Sequence, residues 1–312
     1  MRLTLRQLRV FDAIARSGSV SKASTTIALS QSAASMALRA LEQNIGSRLF
    51  ERRGRRLLLS ELGRRYQPIV HALLRQAEEL ESLPREPTLS GRLRIGASFT
   101  IGNYILPDVC GRFLCENPEV RIELAIGGSE AIARQLDAME IDIGFVENRL
   151  FISKMRSTPW IEDEMLFFCA PGHPLSRKRK VFMKDLADCV WTVGTNPSPV
   201  AAELTRHLHT VKVGMQTAGI EAIKRVVSIT NGVGCLSCFS LESELRDRSL
   251  LRLPVEKPKL VRRLCIVTRE QGYQGKLPER FLEFAAAPAI MATFADQMSR
   301  IVKPRHRIGI GD

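Results

Sequence analysis

Near residue 30 the chain sets short polar side chains in a row: Ser30, Gln31, Ser32 and Ser35, with Arg39 one turn further on. A glutamine at the start of an exposed helix can pair with adenine N6 and N7. An arginine one turn later can meet a guanine edge or a phosphate. Downstream, Arg52, Arg53, Arg55 and Arg56 crowd around Gly54, a cluster suited to clasping phosphates rather than reading bases. The charge runs the same way. Residues 1–65 hold thirteen Lys and Arg against four Asp and Glu, nine of the net +13 of the whole chain. A basic head before a nearly balanced body points to a polyanion-binding module, the alternative being a solvated basic surface.

These side chains need elements to hold them. Leu5, Leu8, Phe11, Ile14 and Ala15 recur at helical spacing, and Gly18 ends that helix. Ser19 or Ser21 can cap a second helix that turns Val20, Ala23 and Ile27 inward. Ser30 caps a third, with Ala34, Leu38 and Leu41 on the side opposite Gln31, Ser32, Ser35 and Arg39. Residues 27–30 are then a short turn, Leu49 and Phe50 close the core, and Glu51–Ser60 reads as a small hairpin. The unit over residues 1–60 is a helix-turn-helix with a basic wing.

From Glu61 the stripe Leu62, Tyr66, Ile69, Leu73, Ala77, Leu80 is near-heptad. It predicts a helix of about 24 residues, roughly 36 Å long, that wants a second copy of itself. Pro68 either kinks this helix or sits where its missing N–H is tolerated. The linker spans 61–90 and ends in a Pro84–Pro87 hinge. Beyond it, strand-like segments (93–97, 120–126, 141–146, 165–170, 189–193, 211–215, 234–236, 264–268) alternate with helical ones (101–115, 130–139, 200–209, 220–230). That alternation predicts two α/β lobes with mostly parallel sheets and a break near Met165, over residues 91–297. Residues 298–312 are expected to form a loose basic tail.

The 312 residues are 45% apolar and 25% charged, ordinary for a globular protein of two or more domains. No run reaches the ~20 apolar residues of a membrane helix, and MRLTLRQLRVF is too charged for a signal peptide. Seven cysteines, an odd number widely spread, suit a reduced cytoplasmic protein. No nucleophile elbow, H-E-x-x-H pair or phosphate loop occurs, and the five histidines form no metal set, so neither an enzyme nor a cofactor is expected. Cys235 and Cys238 have C-x-x-C spacing but lie in a β-rich stretch rather than opening a helix, a poor place to stabilise a thiolate. A cysteine redox switch is the competing reading.

The string LRQLRVFDAIARSGSVSKAS…LSQSAASMALRALEQNIGSRLFERRGRRLLLSELG, followed by RLRIGAS, TIGNYILP, ENPEV, IDIGFVE, MLFFCAPGHPL, EAIKRVV and GVGCLS, resembles the LysR-type transcriptional regulators. SFTIGNYILP is most similar to the branch of sulfur-assimilation and carbon-fixation regulators. The resemblance covers residues 1 to about 285. It implies a winged helix-turn-helix, a dimerising linker helix, two Rossmann-like lobes of periplasmic-binding-protein type and a homotetramer. Paired heads of this kind read an interrupted inverted repeat in double-stranded DNA, because two-fold protein symmetry demands it. RNA polymerase is an expected partner.

The resemblance also places a small effector between the lobes. Ser98, Phe99 and Thr100 follow the first strand and precede a helix, where hydroxyls and free N–H groups form an anion site. Gly128 and Ser129 line the same cleft. Thr195 and Ser198 are expected from the opposite lobe, and Gly219 with Glu221 at a third helix start. The family phrase at 194–199 is GSGTR-like; here Pro199 takes the arginine place, so the second end of the effector lacks a cation. The expected effector is a small anion, with a sulfur oxyanion implied by the nearest branch alone; the alternative is the same regulator with a cysteine redox switch or with no effector.

Overall fold

The computed structural model describes residues 3–53, 56–81, 89–147, 154–195, 211–255, 257, 259–270 and 275–302. The expected helix 200–209, the Pro84–Pro87 hinge and the tail beyond Val302 lie outside these residues.

The head forms as its sequence requires. Helix α1 (Leu5–Ser17) opens with a capping box between Thr4 and Gln7 and closes on Gly18 in the left-handed region. Ser19 caps α2 (Val20–Thr26), and Ser30 caps α3 (Gln31–Ile45). Leu8, Phe11, Ile14, Ala34, Leu41 and Leu49 bury their side chains together, with the Phe11 and Phe50 rings 5.4 Å apart. Strands β1 (Phe50–Arg53) and β2 (Arg56–Leu59) make the wing, Arg53 opposite Arg56. Two ties fix its angle: Leu57 N–H donates to Gly18 O at 2.9 Å, and Leu49 N–H donates to Glu42 Oε1 at 2.7 Å.

Helix α4 (Glu61–Glu81) runs through Pro68 as one element. The predicted stripe divides. Leu62 and Tyr66 pack partly on the head, where Val70 and Leu74 are the buried residues, while Ile69, Leu73 and Leu80 stay 59%, 44% and 70% exposed. A helix that faces its own head on one side keeps its second apolar stripe for another surface. Gly63 allows this packing, since a Cβ there would stand 2.1 Å from the Leu49 carbonyl oxygen.

In the body, β3 (Gly91–Ser98) pairs in parallel with β4 (Val120–Gly127) and β5 (Ile143–Val146) to form lobe I. In lobe II, β7 (Val190–Gly194) pairs in parallel with β8 (Lys212–Thr217) and β9 (Gly232–Ser237). Two long antiparallel strands, β6 (Met155–Cys169) and β11 (Leu260–Arg269), cross between the lobes, and the short β10 (Leu251–Arg252) pairs with the end of β6. The expected break near Met165 is where β6 passes from pairing with β11 to pairing with β9. The predicted helix 101–115 is two, α5 (Phe99–Tyr104) and α6 (Leu106–Glu116), parted at Ile105 just before Pro107. Helix α7 (Ser129–Asp137) covers lobe I and α8 (Ile220–Ile229) covers lobe II. After α9 (Glu242–Asp247), helices α10 (Lys276–Ala285) and α11 (Pro288–Val302) return to the body. There Phe281 and Phe294 join an aromatic cluster with Phe113, Phe145 and Trp160. Because α11 continues to Val302, the expected tail boundary at 298 falls inside a helix.

The lobes are pinned where β6 and β11 cross. Arg262 is buried, its Nε donating to Asp163 Oδ2 at 2.7 Å, Nη1 to Glu147 Oε2 at 2.7 Å and Nη2 to Thr100 Oγ1 at 3.0 Å. Ser237 Oγ donates to the second Asp163 oxygen at 2.7 Å. Burial works against the guanidinium, but the two carboxylates outweigh it and hold Arg262 charged. Removing one partner of such a set leaves uncompensated buried charge, so Arg262→Met should destabilise the body by about 3–5 kcal/mol in urea denaturation. Gly63→Ala should cost the head about 1–3 kcal/mol through overpacking and lower its melting temperature.

Candidate functional site

Two regions carry the chemistry. In the head, Ala34, Leu38 and Leu41 fix one side of α3 in the core, which turns Gln31, Ser32 and Arg39 outward into exposed positions; Ser35 is half-buried beside them. Ser30 Oγ accepts from Ala33 N–H at 3.2 Å and lies 3.0 Å from Ser32 Oγ, so these two hydroxyls also hold the helix start. Met36, 69% exposed on the same side of α3, is missed when only polar residues are counted. An apolar side chain there suits a thymine methyl group. In the wing, Arg52 and Arg56 are exposed. Arg53 is placed by its backbone alone, and Arg55 lies outside the described residues.

In the body, Thr100 and Ser129 of lobe I both meet Glu147. The Thr100 N–H is not free: it donates to Glu147 Oε1 at 3.0 Å. Ser129 Oγ in turn accepts from Glu147 N–H at 3.4 Å. The Thr100 N–H is thus already taken by a carboxylate of the chain itself, on the residue that directly follows β5. Burial would raise the Glu147 carboxyl, but Arg262 and the Thr100 bonds overcome it and hold the group below the ordinary carboxylate range. Ser98 stands at the N-cap of α5 without capping it; its hydroxyl oxygen is buried and unpartnered. Phe99 is half-buried beside it, and Gly128 is the N-cap of α7. A terminal acid after a fully apolar strand, as in IDIGFVE, was the available signal for Glu147.

The lobe II residues are placed differently. Glu221 makes a latch: it accepts from the Tyr104 hydroxyl on lobe I and pairs with Lys224 at 2.7 Å. Lys224 is buried, bonds Glu244 at 2.7 Å and lies 5.3 Å over the Tyr104 ring. Thr195 is exposed, its N–H donating to Thr217 O at 3.2 Å, and Gly219 is exposed at the α8 N-cap. Ser198 lies outside the described residues.

Burial pushes the Cys235 and Cys238 thiols well up and Cys110 up to about 12, which keeps all three protonated and unreactive near neutrality. Among the described residues no helix is long and apolar enough to cross a membrane, and no group of His, Cys, Asp and Glu could hold a metal ion.

Residues 5–64 match the family described as "Bacterial regulatory helix-turn-helix protein, lysR family", and residues 87–288 match the "LysR substrate binding domain". The chain is 40% identical to the "Uncharacterized HTH-type transcriptional regulator YeiE" of Escherichia coli K12, covering 91% of this chain and 97% of that protein. It is 30% identical to the "RuBisCO operon transcriptional regulator" of Allochromatium vinosum, over 93% and 97%. Among solved structures, a full-length OxyR variant from Pseudomonas aeruginosa superposes with a TM-score of 0.71 at 19% identity, over 92% of this chain and 94% of that one. CbnR, a LysR family regulator, gives 0.55 at 18%, over 91% and 100%. With both family regions matched in order along nearly its whole length, the chain belongs to the LysR family of transcriptional regulators.

Proposed function

We propose that this chain is a sequence-specific regulator that docks α3 in the major groove of an interrupted inverted repeat and reads it through Gln31, Ser32, Ser35, Met36 and Arg39. The outward row on α3, fixed by an apolar face on the other side, carries this reading. Arg52 and Arg56 of the wing, with Arg53 and Arg55, hold phosphates. The exposed Ile69, Leu73 and Leu80 suit pairing of two linkers, and two such dimers make a tetramer whose spacing on DNA governs promoter bending and contact with RNA polymerase in the cytoplasm.

The switch is a small effector in the cleft. Arg262 meets two carboxylates there, so an anionic effector must exchange with Glu147, taking over the Thr100 N–H and one face of Arg262; the unpartnered Ser98 hydroxyl is in place to donate. A small oxyanion fits that exchange, and displacing Glu147 moves the residue that leads out of lobe I. The raised Cys235 and Cys238 thiols favour ligand control over redox control.

Fluorescence anisotropy on operators selected from random duplexes tests the head. Gln31→Ala with Ser35→Ala should cut discrimination against scrambled duplex by about 10- to 100-fold, since a bidentate Gln–adenine pair alone is worth ~1–3 kcal/mol. Arg52→Ala and Arg56→Ala should weaken all duplexes alike and flatten the salt slope by about one each. Undiminished discrimination in the first variant overturns the assignment. For the cleft, sulfate titrated by calorimetry should bind Glu147→Gln at least about tenfold more tightly than the parent chain, a gain of ~1.4 kcal/mol. Equal affinity would mean that Glu147 does not compete for the site.

A further inference from the structure

Side chains alternate along β6, so Asp163 turns toward Arg262 and Glu164 turns to the opposite face. There Glu164, 5% exposed, is clasped by Lys259 at 3.0 Å and Arg252 at 3.6 Å. This carboxylate lies in the wall of a groove of about 1290 Å³ on lobe II, between β6, α9, the end of α11 and the 176–179 segment. Eight Lys and Arg line the groove against two Glu, with the part-exposed Leu251 and Leu260 as its apolar floor. Some of those cations have their own partners, as Lys178 has Asp185 at 3.0 Å. Arg177, Arg179 and Arg248 have no hydrogen bond or ion pair among the described residues.

Arg248 is the informative one. It follows α9 with φ at +64°, in the left-handed region where glycine is the usual C-cap. A long side chain held in that conformation costs stability. What it supplies is a cation on the groove.

We propose that the groove binds an amphipathic organic phosphate: a clustered anionic end among the arginines and an apolar body on the leucine floor. Charge argues against the chain's own C-terminal residues as the occupant, because 303–312 carry Lys303, Arg305 and Arg307 against Asp312. The floor argues against bare phosphate, which has no apolar surface to bury. The groove shares no lining residue with the set of Ser98, Thr100, Ser129, Glu147 and Arg262, so the proposal stands whether or not that set takes an oxyanion.

The test is calorimetry on the full chain with two probes, inorganic pyrophosphate and geranyl diphosphate. Geranyl diphosphate should bind at least tenfold more tightly than pyrophosphate, with both weakening as salt rises. Arg248→Gly should lose at least fivefold in affinity for either probe while its melting temperature rises, which separates loss of the ligand from loss of the fold. Arg177→Ser with Arg179→Ser should lose a similar factor with an unchanged melting temperature. No heat from either probe, equal affinity for the two, or undiminished binding by these variants would overturn the proposal.

Discussion

One guanidinium holds the body together. Arg262 stands on a strand shared by both lobes and reaches Asp163 on the other shared strand, Glu147 at the exit of lobe I and Thr100 at the start of α5. Ser237, at the end of a lobe II strand, completes the set through Asp163. A buried cation with two carboxylates survives only where every partner is in place, so the set fixes how the lobes meet. Thr100 and with it the start of α5 inherit their position from this set.

The head is readable because its rules are local. Caps at Thr4, Ser19 and Ser30, the left-handed Gly18 and the apolar spacing of α1 and α3 all lie within a few residues of what they control. The lobes are readable as alternating strands and helices for the same reason. What escapes depends on distance along the chain. β6 reads as apolar only over its final third, and its earlier part is ordered by pairing with β11, a hundred residues later. Helices α10 and α11 take their meaning from Phe145 and Trp160, far upstream. The linker stripe is half right, because helical spacing cannot say which of two apolar faces the chain itself will cover.

The candidate site divides along the same line. Ser98, Thr100 and Ser129 can be named from their places after strands. That Glu147 already occupies the ground between them cannot, since the contact spans forty-seven residues and needs the sheet to form first. Glu221 stands at the start of α8, and its partner Tyr104 lies on the other lobe, a contact that spacing along the chain does not show. The result is a carboxylate-rich set around Arg262 and, elsewhere on the body, a groove rich in arginine.

The two crossing strands pair over ten residues, Leu260 opposite Met165 through Arg269 opposite Met155, with a register shift between Leu264 and Cys265. Such a ribbon resists stretching and sliding, because either would break its rungs together, yet it yields readily to torsion. Any rearrangement of the lobes is therefore geared as a rotation about the ribbon's long axis. A small turn at the ribbon reaches the outer rims of the lobes as a lever arm does, largest at the periphery.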